Sequence, residues 1–393
     1  MRALVVDPSL FTLPYDREFC RGLAGRGVET TLVGRPLRHY EALAGEPFAF
    51  KPLFYRGITG HETGWRTSRL GRIRKGFEHV SGLRALMALA AEEATDIVHF
   101  QWLMLPLLDR LALARLRPRA GLVLTVHNAE LTAHSTSAVV GRLGAVLQVL
   151  GQSDAVMAFD RYIAHTTKTV TQLERLGIEP ERIILLPHPP LNLDAQPSPP
   201  AEPATDHRRD ILLFGSIKPY KGVDVLIEAG ISMAARRHDF RITIAGRPFQ
   251  PLDELRARIE AAGAAAAFRF DLDYLPDERL AGYLDRAAAI VFPYREIDGS
   301  GALALATRFG KPIVASRIGV FGEAPVKDHV ALVPPGNPQA LATTLETLLD
   351  DEARCHALAG LSRRLEALLP SWSDFARACH TAYAGILEER RAG

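Results

Sequence analysis

Cysteine is scarce in this sequence: only Cys20, Cys355 and Cys379 occur in 393 residues. An odd number without short paired spacing excludes a disulfide framework or a Cys-built zinc cage and suits a reducing compartment, so a cytoplasmic location is expected. An excess of either charge is also missing. The 47 Lys and Arg stand against 45 Asp and Glu for a net charge of +2, which points to neither a nucleic-acid binder nor an acidic tail. No stretch of about 18 apolar residues runs without charge, so no membrane span is expected. The opening MRALVVDPSLF carries Asp7 inside its apolar run and reads as a first strand rather than a secretory signal. The thirteen histidines and the carboxylates show no short ligand spacing. Asp271 and Asp273 come nearest, in what reads as an ordinary surface strand, and neither a metal nor another cofactor is expected.

What the sequence does contain is alternation. ALVVD (3–7) is followed by a helical pattern through Phe19 and Leu23 and then by TTLVG (30–34). Strand-like runs return at DIVHF (96–100), GLVLTVHN (121–128), AVMAF (155–159) and RIILLP (182–187), with helical segments between most of them. The proline-rich 187–210 has almost no periodicity and marks a boundary. The cycle restarts with DILLFG (210–215), a helix from about Val223, RITIAG (241–246), FRFDLDYL (268–275), AIVFPY (289–294), KPIVAS (311–316) and ALVPP (331–335). The fold class expected is α/β, with two Rossmann-like doubly wound domains. The N-terminal domain covers 1–190, a linker 191–209 and the C-terminal domain 210–370, with a last helix in 371–393 returning to the first domain. Ligands of such sheets sit beyond the carboxyl ends of the strands, so a cleft between the two sheets is the expected binding place.

Two segments of the second half carry the chemistry. In GSIKPYKG (215–222), between a strand and a helix, Gly215 and Gly222 permit close backbone approach. Lys218 and Lys221 set two cations beside the positive end of a helix, as a diphosphate seat would require. In YREIDGSGALALATRFGKPIVAS (294–316), Gly299, Ser300 and Gly301 fall at a helix start, where amides and a hydroxyl suit phosphate or sugar oxygens and Asp298 suits sugar hydroxyls. Asp298 or Ser300 acting simply as a helix cap stands beside that reading. Between Arg56 and Arg84, Arg66, Arg69, Arg72, Arg74 and Lys75 interleave with Trp65 and Phe77. This concentrated basic patch is either a solvated face or a site for an anionic membrane surface, spanning Arg66 to Lys75.

The arrangement resembles the family 4 glycosyltransferases of GT-B fold. The resemblance rests on Gly215 to Gly222, AGRP (245–248), LPDERLAGYLDRAAAIVFPY (275–294) and FGKPIVAS (309–316), and more loosely on PYDREFCRGLAGRGVETTLVG (14–34), DIVHFQW (96–102) and TVHN (125–128). It implies transfer of a hexose from a GDP- or UDP-linked nucleotide-sugar to a glycan or lipid-linked acceptor, with retention of configuration and without nucleic acid. A nucleotide-sugar epimerase of the same fold and a non-catalytic nucleotide-sugar binder are the alternatives. The resemblance makes His127 the residue that contacts the transferred sugar, with Lys218, Lys221 and Asp298 completing the catalytic set. It places donor contacts at Gly215, Ser216, Gly222, Arg247, Tyr294, Gly299, Ser300, Gly301, Ala302 and Leu303, and the acceptor side at Tyr15, Asp16, Asn128 and Glu130. His134 is a second candidate, and His99 reads as a strand-core residue. Two departures stand out. Ser216 replaces the family's arginine, and Leu305 replaces the glutamate that holds the nucleotide ribose.

Overall fold

A computed structural model describes residues 1–57, 69–127, 152–193 and 209–392. The chain forms two compact units, Met1–Pro189 together with Pro370–Gly393, and Pro190–Leu369.

The first unit is built on a parallel sheet of seven strands: β1 (Arg2–Val6), β2 (Glu29–Gly34), β3 (Ala49–Pro52), β4 (Ile97–Phe100), β5 (Gly121–Val126), β6 (Arg161–Ala164) and β7 (Ile183–Leu185), in the order β3-β2-β1-β4-β5-β6-β7. Its described helices are α1 (Leu13–Ala24), α2 (Arg69–Glu92), α3 (Pro106–Leu116), α4 (Gln152–Val156) and α5 (Thr167–Arg175). Side chains alternate between the two faces of each strand. On one face Leu4, Val6, Val98, Phe100, Leu122 and Leu124 join Leu83, Leu86 and Leu113 of α2 and α3 in one core. Because both faces are covered, these strands read as continuous apolar runs.

The second unit has a parallel sheet of β8 (Arg209–Phe214), β9 (Phe240–Ala245), β10 (Phe268–Asp271), β11 (Ala287–Phe292), β12 (Ile313–Ser316) and β13 (Ala331–Val333), in the order β10-β9-β8-β11-β12-β13. Around it lie α6 (Val223–Ala234), α7 (Asp253–Ala261), α8 (Asp277–Arg286), α9 (Gly301–Ala306), α10 (Pro338–Asp350) and α11 (Glu352–Leu368). Two cores, one on each face, bury Ile211, Leu213, Ile242 and Ile244 on one side and Leu212, Phe214, Ile290 and Phe292 on the other.

The last helix, α12 (Trp372–Ala392), belongs to the first unit and lies along α1. Gly22 allows this approach, since a Cβ there would sit 2.9 Å from Ala376 Cβ and 3.0 Å from the Trp372 carbonyl. Beneath these helices His99 is fully buried on β4, Nδ1 meeting the Tyr383 hydroxyl at 2.6 Å and Nε2 the Thr125 hydroxyl at 2.7 Å.

Two expectations need correction, and one strand was not foreseen. AVMAF is not a strand: Gln152–Val156 is a short helix, and the strand is the following Arg161–Ala164. A short apolar run has no periodicity that separates the two. The edge strand β10 stops at Asp271, whose buried carboxylate takes the Tyr283 hydroxyl at 2.7 Å and pairs with Arg279 at 2.6 Å. The Ala49–Pro52 strand went unanticipated because it is short, on the edge and only half-buried.

Candidate functional site

In each sheet the strand order reverses beside the first strand of the unit, at β1/β4 and at β8/β11. Such switch points open a crevice beyond the carboxyl ends of the strands. In the second unit both chemistry-bearing segments lie there, one after β8 and one after β11.

The loop after β8 runs alongside the loop after β9. Ile217 N–H donates to the Arg247 carbonyl at 2.9 Å and Phe249 N–H to the Ile217 carbonyl at 2.8 Å. Phe249 is exposed, and both Lys218 and Arg247 hold their charge over its ring, at 5.9 and 5.7 Å from the centroid. Arg247 thereby sets a guanidinium beside the loop in which Ser216 is exposed. The chain then turns at Gly222, where φ is +63° and a Cβ would collide with the Pro293 carbonyl at 1.9 Å. Gly222 starts α6 with no side-chain cap, so the positive end of a twelve-residue helix faces the loop.

Lys221 is 6% exposed. Its ammonium donates to the Phe214 carbonyl at 3.3 Å and lies 5.4 Å from the Tyr294 ring centre. Burial, with the Lys218 charge adding to it, lowers its pKa to about 7. Tyr294 is itself buried, its hydroxyl without a hydrogen-bond partner among the described residues. The two loops are tied together: Arg295 N–H donates to the Tyr220 carbonyl at 2.7 Å, and its guanidinium grips Asp224 at 2.5 and 2.7 Å.

After β11 the structure gives the capping arrangement. Ser300 is the N-cap of α9, its hydroxyl accepting from Leu303 N–H at 3.1 Å, so the Leu303 amide is already engaged. Gly301 and Ala302 form the first turn of this helix, directly after Ser300, with Gly299 before it. Asp298 is buried, and its carbonyl accepts from Val320 N–H at 2.9 Å, fastening the loop to the turn after β12. Leu305 is packed in the core with Phe214, Phe292 and Tyr294.

In the first unit, His127 directly follows β5. Its Nε2 lies 3.0 Å from Gln101 Oε1, and its ring is stacked on Trp102 at 4.8 Å between centroids. Burial, with neighbouring His165, His188 and His99, holds its pKa well below the ordinary value, so the ring is neutral at pH 7. Tyr15 is buried with its ring edge-on to His127 at 4.9 Å. Asp16 is fully buried and shares Thr12 with Asp7, at 3.5 and 3.3 Å. Burial first, and then the Asp7 charge, raise its pKa well above the usual range. Asp16 is thereby tied to the first loop through Thr12. Asn128, Glu130, His134 and Arg66 lie outside the described residues. Gln101, His165 and His188 escaped the sequence reading, although each directly or closely follows a strand end. Among the described residues no group of three or more His, Cys, Asp or Glu is disposed to hold a metal ion.

Two doubly wound parallel sheets, with a lysine- and glycine-bearing loop at the switch point of the second, define the GT-B class of glycosyltransferases. Residues 15–189 match the family described as Glycosyltransferase Family 4, and residues 208–351 match Glycosyl transferases group 1. The chain belongs to the family 4-like glycosyltransferases of GT-B fold. It is 29% identical over 265 residues to a D-inositol 3-phosphate glycosyltransferase of Acidothermus cellulolyticus, covering 62% of this chain and 57% of that protein. A Rhodococcus opacus protein of the same name is 32% identical over 256 residues, covering 62% and 55%. The chain thus spans little more than half the length of these relatives. Among solved structures, sucrose-phosphate synthase from Thermosynechococcus elongatus superposes with a TM-score of 0.73 at 20% identity, covering 99% of both chains. Anabaena HepE in complex with UDP superposes with a TM-score of 0.70 at 14% identity, covering 98% and 99%.

Proposed function

We propose that this protein transfers a hexose from a nucleoside diphosphate sugar, GDP- or UDP-linked, to a hydroxyl of a glycan or lipid-linked acceptor, with retention of configuration. The observation that carries the reading is Lys221: a buried ammonium at a glycine-bounded loop, with no carboxylate partner among the described residues. Such a group is poised for an anion, and the α6 N-terminus, Lys218 and Arg247 add positive charge around it. A diphosphate there leaves as charge develops on its bridging oxygen. The C1–oxygen bond to the diphosphate breaks, the acceptor oxygen bonds to C1, and the acceptor proton passes to the departing phosphate. No protein base is then required. Related names and UDP-bound neighbours support the donor class.

Thermal stabilisation by UDP, GDP and ADP tests the donor site. Stabilisation by UDP or GDP, followed by glycoside formation from the matching nucleotide-hexose, is expected. An altered nucleotide-sugar formed without acceptor would instead identify an epimerase, and nucleotide binding without turnover a non-catalytic binder.

A further inference from the structure

His127 is held from three sides. β4 and β5 pair in parallel with Phe100 opposite Leu124, so the residues just past β4 lie beside those just past β5. Gln101 and Trp102, adjacent in the chain, both act on the ring: the Gln101 amide oxygen lies 3.0 Å from His127 Nε2, and the Trp102 ring stacks on the imidazole at 4.8 Å and 15° between planes. Tyr15 closes the third side, edge-on at 4.9 Å. The supports are themselves fixed. Gln101 is 1% exposed and its N–H donates to the Val6 carbonyl at 2.9 Å, while the Trp102 indole N–H donates to the Thr12 hydroxyl at 3.2 Å.

An amide oxygen only accepts, so the proton of the neutral imidazole sits on Nε2 and the lone pair on Nδ1. Nδ1 has no partner among the described residues, on a ring that is half-buried rather than enclosed. Two other histidines of this unit differ from it chemically. His99 is fully buried, with both nitrogens engaged by the hydroxyls of Tyr383 and Thr125. His79 is fully buried too, between the Tyr55 hydroxyl at 2.9 Å and the Asp109 carboxylate at 2.6 Å. His127 has one nitrogen occupied and one left over, and its partner is an amide where His79 has a carboxylate. A carboxylate would orient the ring equally well but would also favour the imidazolium. An amide orients it without charge.

We propose that Gln101 is a positioning residue that sets the hydrogen-bond polarity of His127: by accepting the Nε2 proton it leaves Nδ1 as an acceptor, which takes a hydrogen bond from a hydroxyl of the transferred hexose. The inference rests on the hexose-transfer reading for the owner of that hydroxyl, and not for the position of the proton. In this state His127 is neither an acid nor a cation, so the proton that the departing phosphate receives is the one from the acceptor hydroxyl. The contact is also selective. A hydroxyl donates to Nδ1, whereas fluorine in its place has no proton to give and meets the lone pair with its own.

Nitrogen NMR of the full chain carrying isotope-labelled histidine reads the proton position from the imidazole shifts, with the His127 signals identified by their loss in His127→Phe. Wild type is expected to show a neutral ring protonated on Nε2 from about pH 6 to about pH 8. A proton on Nδ1, or an imidazolium, would overturn the proposal, and this measurement needs no substrate. Gln101→Met, close in length but without the oxygen, should lose the single tautomer and lower kcat about tenfold or more, with nucleotide affinity changed less than about threefold. Gln101→Glu restores an acceptor for Nε2 but brings a charge. Its carboxylate raises the His127 pKa, so activity should recover at high pH and be lost as pH falls through the raised value, where Nδ1 gains a proton and no longer accepts. The other titratable groups around the ring stay uncharged over that range: burial lowers His165 and His99 to about 3 and His188 to about 4, and raises Tyr15. A new acid limb therefore belongs to the Glu–His127 pair. Unchanged kcat in Gln101→Met, or a Gln101→Glu profile that matches wild type, would overturn the proposal. So would a Gln101→Met enzyme that keeps the tautomer and loses turnover, nucleotide affinity and melting temperature together, since that marks a merely structural residue. If no nucleotide-hexose is turned over, the transfer reading falls, while the nitrogen shifts still decide where the proton is.

Discussion

The Lys221 ammonium lies 5.4 Å from the centre of the Tyr294 ring and has no carboxylate to balance it among the described residues. Its pKa of about 7, lowered first by burial and then by Lys218, makes donor binding pH-dependent. Above pH 7 the free site loses its proton, while a bound diphosphate restores it by raising the pKa. Nucleotide-sugar binding should therefore take up a proton at about pH 8, and affinity should fall by up to tenfold per unit as pH rises beyond 7. Below 7 this lysine adds no further pH dependence. Calorimetry in buffers of different ionisation enthalpy measures the uptake, and a zero value at about pH 8 would remove Lys221 from the phosphate site.

Lys218 and Arg247 share the Phe249 ring, which sets two cations beside the loop where Ser216 stands in place of the family's arginine. Replacing either with Ala should slow transfer by about tenfold for each 1.4 kcal/mol of lost transition-state stabilisation. Arg247→Lys should recover less than full activity, because a planar fork is not reproduced by a point charge. Steady-state kinetics with a saturating acceptor decide it, and an Arg247→Ala enzyme with unaltered rates would return that residue to the surface.

His127 combines a neutral ring, a fixed proton on Nε2 and a stacked Trp102. His127→Ala should reduce turnover at least tenfold while changing nucleotide affinity less than about threefold, since the residues proposed for the nucleotide belong to the second unit. Equal losses in both would assign His127 a structural role.

Most of the sheet architecture could be read from the sequence because strands buried on both faces are continuous apolar runs, as in ALVVD and RITIAG. The loops at their ends were legible where glycine is demanded by contact, as at Gly222 against Pro293. What could not be read depends on chain crossings. His165 and His188 are 23 residues apart and look like isolated histidines until β6 and β7 pair and bring their rings to 5.5 Å. The burial of Asp16 likewise requires Asp7 and Thr12 to fold around it. Ser300 fitted both a cap and a ligand contact in the sequence, and its bond to Leu303 is the cap.

On α2, Ile73 and Phe77 are 58% and 74% exposed, one helical turn apart, beside an open recess of about 550 Å³ lined also by Arg74, Glu78 and Ser81. No described helix is long and apolar enough to cross a membrane; the prediction for this face is contact with an anionic surface. On the same helix Arg74 donates to the Gly57 carbonyl and Lys75 lies over the buried Tyr55 ring. Binding to vesicles containing phosphatidylserine or phosphatidylglycerol should weaken with salt. Charge removal at Arg74 and Lys75 should cost up to about 1 kcal/mol each, and Phe77→Ser should weaken binding further. Equal affinity for neutral vesicles in a sedimentation assay would sink the idea.

Leu305 stands where the family has the ribose-holding glutamate, and the structure places it in the core of the second unit, 5% exposed among Phe214, Phe292 and Tyr294. A carboxylate at this position would have to leave water without a prepared partner. Leu305→Glu should therefore lower stability by more than about 2 kcal/mol, whereas Leu305→Met, which keeps the volume, should cost less than about 1.5 kcal/mol. Urea unfolding gives both values, and nucleotide affinity measured on the same samples separates two histories of the site. If the ribose contact has been rebuilt elsewhere, Leu305→Glu gains no affinity for UDP or GDP, because the new carboxylate either remains buried and protonated or disrupts α9 to reach solvent. If the position is a contact that was simply lost, the glutamate finds the ribose hydroxyls, affinity rises, and ligand binding offsets part of the instability. The burial of Leu305 favours the first outcome: its side chain belongs to an apolar core cluster, in which a carboxylate finds no polar surroundings to leave for a ligand.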